Sequence, residues 1–63
     1  MIKKYEVYAC DLSNDEVWRS NRESIIALIQ REHKCNRSVA INMLEETTIN
    51  TPMKIENIEV WCE

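Results

Sequence analysis

There is no glycine in this 63-residue sequence, no phenylalanine, and only one proline and one histidine. Without glycine, every turn must either avoid positive φ or place asparagine there, because a Cβ makes the left-handed region costly. Without phenylalanine, the aromatic mass is confined to two tryptophans and two tyrosines. No apolar run is long enough to span a bilayer, and no signal peptide is recognisable. Met1-Ile2-Lys3-Lys4 leads directly into Tyr5-Glu6-Val7-Tyr8, which reads as a strand, so the expected compartment is cytoplasmic. Three cysteines are an odd number, which suits reduced thiols or metal ligands better than a disulfide framework. No phosphate loop occurs, and the single histidine has no recognisable nucleophile or acid partner. The chain is therefore expected not to be an enzyme.

An apolar fraction of 44% with 30% charged residues is ordinary for a folded domain and argues against disorder. At this length one domain over residues 1–63 is expected, with a core so small that a metal, a disulfide or a partner subunit is a common supplement. Eleven acids against eight bases give a formal charge of −3. That balance disfavours nucleic acid as a partner, since affinity there comes largely from phosphate contacts, and suits a partner that is itself basic.

Residues 2–10 alternate and are rich in Tyr and Val, predicting a strand. Leu12-Ser13-Asn14-Asp15 is a turn, and Glu16-Val17-Trp18-Arg19 a returning strand. Ser20-Asn21-Arg22-Glu23 has the form of a capping box, with Ser20 as cap and Glu23 reaching back. Ile25, Ile26, Leu28 and Ile29 then predict a helix from about Asn21 to His33. Asn36 or Ser38 can cap a second helix carrying Val39, Ala40, Met43 and Leu44 and ending near Glu46. Thr47 to Pro52 reads as a connector, and Lys54 to Cys62 as a final strand. The expected fold class is α+β in the order ββααβ, a three-stranded antiparallel sheet packed against two short helices.

Three groups of residues could carry function. Cys10, His33, Cys35 and Cys62 form a Cys₃His set, the type that closes a structural zinc site and would tie distant segments together. The spacing lacks a CxxC pair, and strand alternation sets Cys10 with Glu6 and Tyr8 but Cys62 with Ile58 and Val60. The alternative is that the thiols are small buried hydrophobes and His33 caps a helix end. Were zinc bound, all four ligands would be used, leaving no open position for substrate water. Secondly, Glu6 and Tyr8 on the first strand and Glu59 and Trp61 on the last could form an acidic, aromatic partner-binding face. Thirdly, the helix pair could be a helix-turn-helix in which Arg37, Ser38 and Asn42 meet DNA. Arg31, Lys34 and Arg37 favour that reading, while Glu45-Glu46 and the overall acidity oppose it. Asn36-Arg37-Ser38-Val39-Ala40-Ile41 has the character of a ribbon-helix-helix second helix, but that fold has no place for a hairpin and a C-terminal strand.

As a whole, this short, acidic, glycine-free chain rich in Asn, Glu and Ile resembles small phage-encoded proteins, among them the anti-CRISPR inhibitors of type II RNA-guided nucleases. The likeness is one of size and character, and it carries no residue across. It implies a viral protein working in the host bacterial cytoplasm, as monomer or homodimer, by stoichiometric binding to a host defence protein. A type II CRISPR effector nuclease would be blocked from loading or cutting DNA, and its basic nucleic-acid channel would attract an acidic ligand. The rival class is a small phage DNA-binding transcriptional regulator.

Overall fold

A computed structural model describes residues 6–63, in the order β1 (Val7–Asp11), β2 (Glu16–Ser20), α1 (Arg22–His33), α2 (Arg37–Glu45), β3 (Met53–Ile55) and β4 (Ile58–Cys62). The strands form one antiparallel sheet in the order β2-β1-β4-β3. The α+β class therefore holds, but the sheet has four strands where three were expected. The expected final strand is a hairpin whose two arms meet at Glu56-Asn57. In Lys54-Ile55-Glu56-Asn57-Ile58 only Asn57 hints at that turn, and the positive φ falls on Glu56, at 55°, instead. The portion of the first strand expected at residues 2–5 lies outside the described residues.

The other positive-φ residues are Asp15 (φ 58°) and Lys34 (φ 52°). The expectation that asparagine would take these positions is thus corrected. Asparagine caps both helices instead. Asn21 accepts from the backbone N–H of Ser24 at 3.1 Å, and Asn36 from that of Val39 at 2.9 Å. Ser20, the cap expected from the sequence, ends β2, so the capping box does not form. Glu23, freed from that role, holds Arg37 through contacts of 2.6 and 2.9 Å. Arg22 meets Glu45 at 2.9 Å. The first turn of α1 is thereby pinned to both ends of α2.

Strand alternation sets the layers. Val7, Ala9, Ile58, Val60, Cys62, Met53 and Ile55 share the face towards the helices, where they meet Ile25, Ile26, Ile29, Ala40 and Leu44. One sequence-silent residue closes this core. Thr47, 7% exposed, donates its hydroxyl to the Leu44 carbonyl at 2.6 Å and accepts the Cys62 N–H at 3.0 Å. It ends α2 and satisfies a β4 donor that β3 is too short to reach. In the sequence, Thr47 is simply the first residue of a polar connector.

A candidate partner-binding face on the open side of the sheet

The opposite face of the sheet carries Glu6 just before β1, Tyr8 and Cys10 from β1, Val17 and Arg19 from β2, Glu59 and Trp61 from β4, and Lys54 from β3, opposite Glu59. The four residues expected to bind a partner (Glu6, Tyr8, Glu59 and Trp61) are therefore brought to one surface. Their proximity follows from register. Tyr8 lies opposite Trp61 and Cys10 opposite Glu59, and directly opposed residues in an antiparallel pair point to the same side.

The aromatic pair is built rather than incidental. The Tyr8 and Trp61 rings stack with centroids 6.0 Å apart and planes inclined by 20°. Each polar tip is directed to a carboxylate. Tyr8 donates its hydroxyl to Glu6 Oε2 at 2.7 Å, and Trp61 donates Nε1–H to Glu63 Oε2 at 2.7 Å. Glu63, one of the acids at the strand ends, shares this face through its i+2 spacing from Trp61. Glu6 also meets Arg19 across the β1–β2 pair at 3.2 Å. The Glu6 hydrogen bond, then desolvation and the charges of Glu6 and Glu63, push the Tyr8 hydroxyl above its usual pKa, with Arg19 opposing. Burial, followed by the charges of Asp15, Glu59 and Asp11, likewise pushes the Cys10 thiol up. Both groups sense a negative potential on this side of the molecule.

That potential reflects a segregation of charge between the layers. Among the described residues, the sheet and its turns carry Glu6, Asp11, Asp15, Glu16, Glu56, Glu59 and Glu63 against Arg19 and Lys54. The helices with their caps and connecting turn carry Glu23, Glu32, Glu45 and Glu46 against Arg22, Arg31, Lys34 and Arg37. The sheet layer is acidic and the helix layer balanced.

Trp61 departs from the role expected of it. It is only 7% exposed, so it is a floor on which Tyr8 rests rather than a free anchor. Tyr8, Glu6 and Glu63 are the parts that reach solvent.

The four residues named as zinc ligands do not converge. Cys10 lies on the open face with Tyr8, whereas Cys62 lies opposite Val7 on the helix side, so the sheet separates the two thiols. Cys35 follows α1 and packs against the core, and His33 sits exposed in the last turn of α1. Among the described residues, no three His, Cys, Asp or Glu side chains are grouped to hold a metal ion. The residues present do not fit a Cys₃His zinc. Burial pushes the Cys62 thiol above its usual pKa, with Arg22 opposing, which is the behaviour of a thiol used as a small hydrophobe.

The alternative DNA-contacting set begins α2, where Arg37, Ser38 and Asn42 are all exposed. Arg37 is held bidentately by Glu23, which keeps its guanidinium charged while neutralising its field, and lowers the Glu23 carboxyl below its usual range. Among the described residues, no helix is long and apolar enough to cross a membrane. Comparison of the chain with protein-family models, with curated proteins and with solved structures found no match.

Proposed function

We propose that this chain is a stoichiometric binding protein whose open sheet face docks on a basic surface of a host protein. The observation that carries the reading is the surface in which Tyr8, stacked on Trp61, shares one face with Glu6, Glu59 and Glu63, three carboxylates against the two cations Arg19 and Lys54. An aromatic platform with a charged rim supplies both contact area and steering towards a partner of opposite sign. Joined to the resemblance to small phage inhibitors, it supports a host defence protein as the partner class, with the nucleic-acid channel of a type II RNA-guided nuclease as the specific target. Occupying that channel would block loading or cleavage of DNA without any catalytic step. The protein then acts in the bacterial cytoplasm and is not an enzyme.

The test is a cleavage assay with guide-loaded nuclease, adding the chain before or after target DNA. Inhibition saturating near one chain per nuclease, and weakened at least tenfold by the double change Glu59→Lys and Glu63→Lys while the variant keeps cooperative thermal unfolding, is the expected outcome. Undiminished cleavage together with salt-sensitive affinity for random duplex DNA would instead select the regulator reading through Arg37, Ser38 and Asn42.

A further inference from the structure

The two edges of the sheet are built differently. Glu6 and Glu63 exchange both backbone hydrogen bonds, and Leu12 N–H reaches the Asn57 carbonyl, so even-numbered residues of β1 bond towards β4. Odd-numbered residues of β1 therefore bond towards β2, engaging Glu16, Trp18 and Ser20. Val17 and Arg19 are left with N–H and C=O directed outward. On the other edge, the same alternation leaves only Lys54 of the three-residue β3 facing outward, with Pro52, which has no N–H, at the preceding outward position. The β3 edge carries the usual protections of shortness, proline and lysine. The β2 edge lacks shortness, proline and lysine, and its only charges are Glu16 and Arg19. It is five residues long, contains no proline, and exposes Val17 at 53% and Trp18 at 38%.

We propose that the β2 edge pairs antiparallel with β2 of a second copy of this chain, about a two-fold axis through Trp18. In that register, Val17 exchanges both backbone hydrogen bonds with Arg19 of the second copy, and the reverse pair forms by symmetry. Every outward group of the strand is used. Trp18 faces its own copy at the axis, in a non-hydrogen-bonded pair where side chains approach most closely. Both indoles lie on the helix side, where β2 projects beyond the helices, and their meeting covers surface that one copy leaves in water. Charges agree with this register. Arg19 lies opposite Val17 and is already matched by its own Glu6 at 3.2 Å, while Glu16 lies opposite Ser20. Sliding two residues towards Ser20 would set Arg19 against Arg19. Sliding towards the turn would enlist Asp15, whose φ of 58° takes it out of the strand. The occupant is therefore a second copy, because the edge is complementary to itself in one register only.

The pairing joins two sheets with both open faces on the same side. It stands independently of any host partner, though it would present the acidic face twice. A ribbon of this length buries less than the ~1,200 Å² of stable interfaces, so the dimer is weak, with a Kd on the order of 0.1 mM.

Sedimentation equilibrium up to about 1 mM, combined with amide exchange, tests it. A reversible dimer is expected in which the Val17 and Arg19 amides gain protection with concentration, while those of Glu16 and Trp18 are protected throughout. Val17→Pro removes an outward donor without touching the β1 ladder, and Val17→Lys opposes two cations. Each is expected to weaken the dimer at least tenfold, whereas Val39→Lys on α2 leaves it unchanged. A strictly monomeric wild-type chain at the highest concentration would overturn the proposal. So would a dimer that Val39→Lys abolishes and Val17→Lys does not, or one in which the Val17 and Arg19 amides stay open.

Discussion

β2 and β4 flank the same strand, are both five residues long, both run antiparallel to β1, and each carries one tryptophan. Their burial is nonetheless opposite. Trp18 points to the helix side of the sheet and is 38% exposed, whereas Trp61 points to the open side and is 7% exposed. Face alone does not decide burial in a sheet this small. β4 is central, with β1 on one side, β3 on the other and helices above. β2 is an edge whose helix-side surface extends past the helices. In one strand a tryptophan completes the fold, and in the other it remains available.

The contrast predicts unequal costs for equal truncations. Trp61→Ala should destabilise the chain by about 3 kcal/mol, because it removes a buried ring and the floor beneath Tyr8. Trp18→Ala should cost only about 1 kcal/mol at low concentration, since much of that ring already meets water. Urea denaturation of both variants gives the difference, and equal costs would break the comparison. The next largest effect lies at the C-terminal end of β4. Thr47→Val keeps the side-chain shape but removes the hydroxyl, leaving the Cys62 N–H without its acceptor inside the core. A loss of about 2 kcal/mol in the same experiment is expected.

The centre of this asymmetry was legible in the sequence, and its margins were not. Alternation in β1 and the 3.6-residue spacing of Ile25, Ile26 and Ile29 dictate the hairpin and α1, because burying one face leaves few choices. The same alternation grouped Glu6 with Tyr8 and Glu59 with Trp61 and set Cys10 apart from Cys62. Only the register of β1 against β4 could say that the first two pairs meet. The split of the last segment into β3 and β4 left Asn57 as its one local sign, since Glu56 accepts a conformation for which it has no intrinsic preference. The hydroxyl of Thr47 was silent. Its value depends on a β4 backbone donor 15 residues away, and long-range satisfaction of a single N–H has no sequence period.

The two hairpin turns allow a finer comparison. Both place a residue with a Cβ in the left-handed region, Asp15 between β1 and β2 and Glu56 between β3 and β4. Aspartate tolerates that region better than glutamate, because its short side chain can bond locally. Glycine at either site relieves the strain but adds unfolded-state freedom. Glu56→Gly is therefore expected to stabilise by about 1 kcal/mol and Asp15→Gly by no more than about half of that. Thermal unfolding followed by circular dichroism resolves the order, and the reverse ranking would place the greater strain on the β2 side.

The smallest effect concerns acid. The side-chain and backbone hydrogen bonds from Ser13 hold the Asp11 carboxyl below its ordinary value of 3.8, and the Arg37 hydrogen bond holds Glu23 below 4.5. A carboxylate whose pKa is depressed by folding adds stability that is complete above its unfolded value and disappears as pH falls through the folded one. Both contributions should thus be intact near neutrality and decline below about pH 4. Both groups are exposed, so the changes are small and salt-sensitive. They act in different places. Protonating Asp11 loosens the turn that leads into the exposed β2, whereas protonating Glu23 releases α1 from α2. Because β2 is held on one side only, its amides should lose exchange protection at a higher pH than those of β4. Asp11→Asn should flatten the pH dependence of the β2 amides and leave that of the helix amides in place, while Glu23→Gln should do the opposite. If one substitution flattened both, the open edge and the buttressed centre would be a single cooperative unit, and the contrast between the two strands would be one of exposure alone.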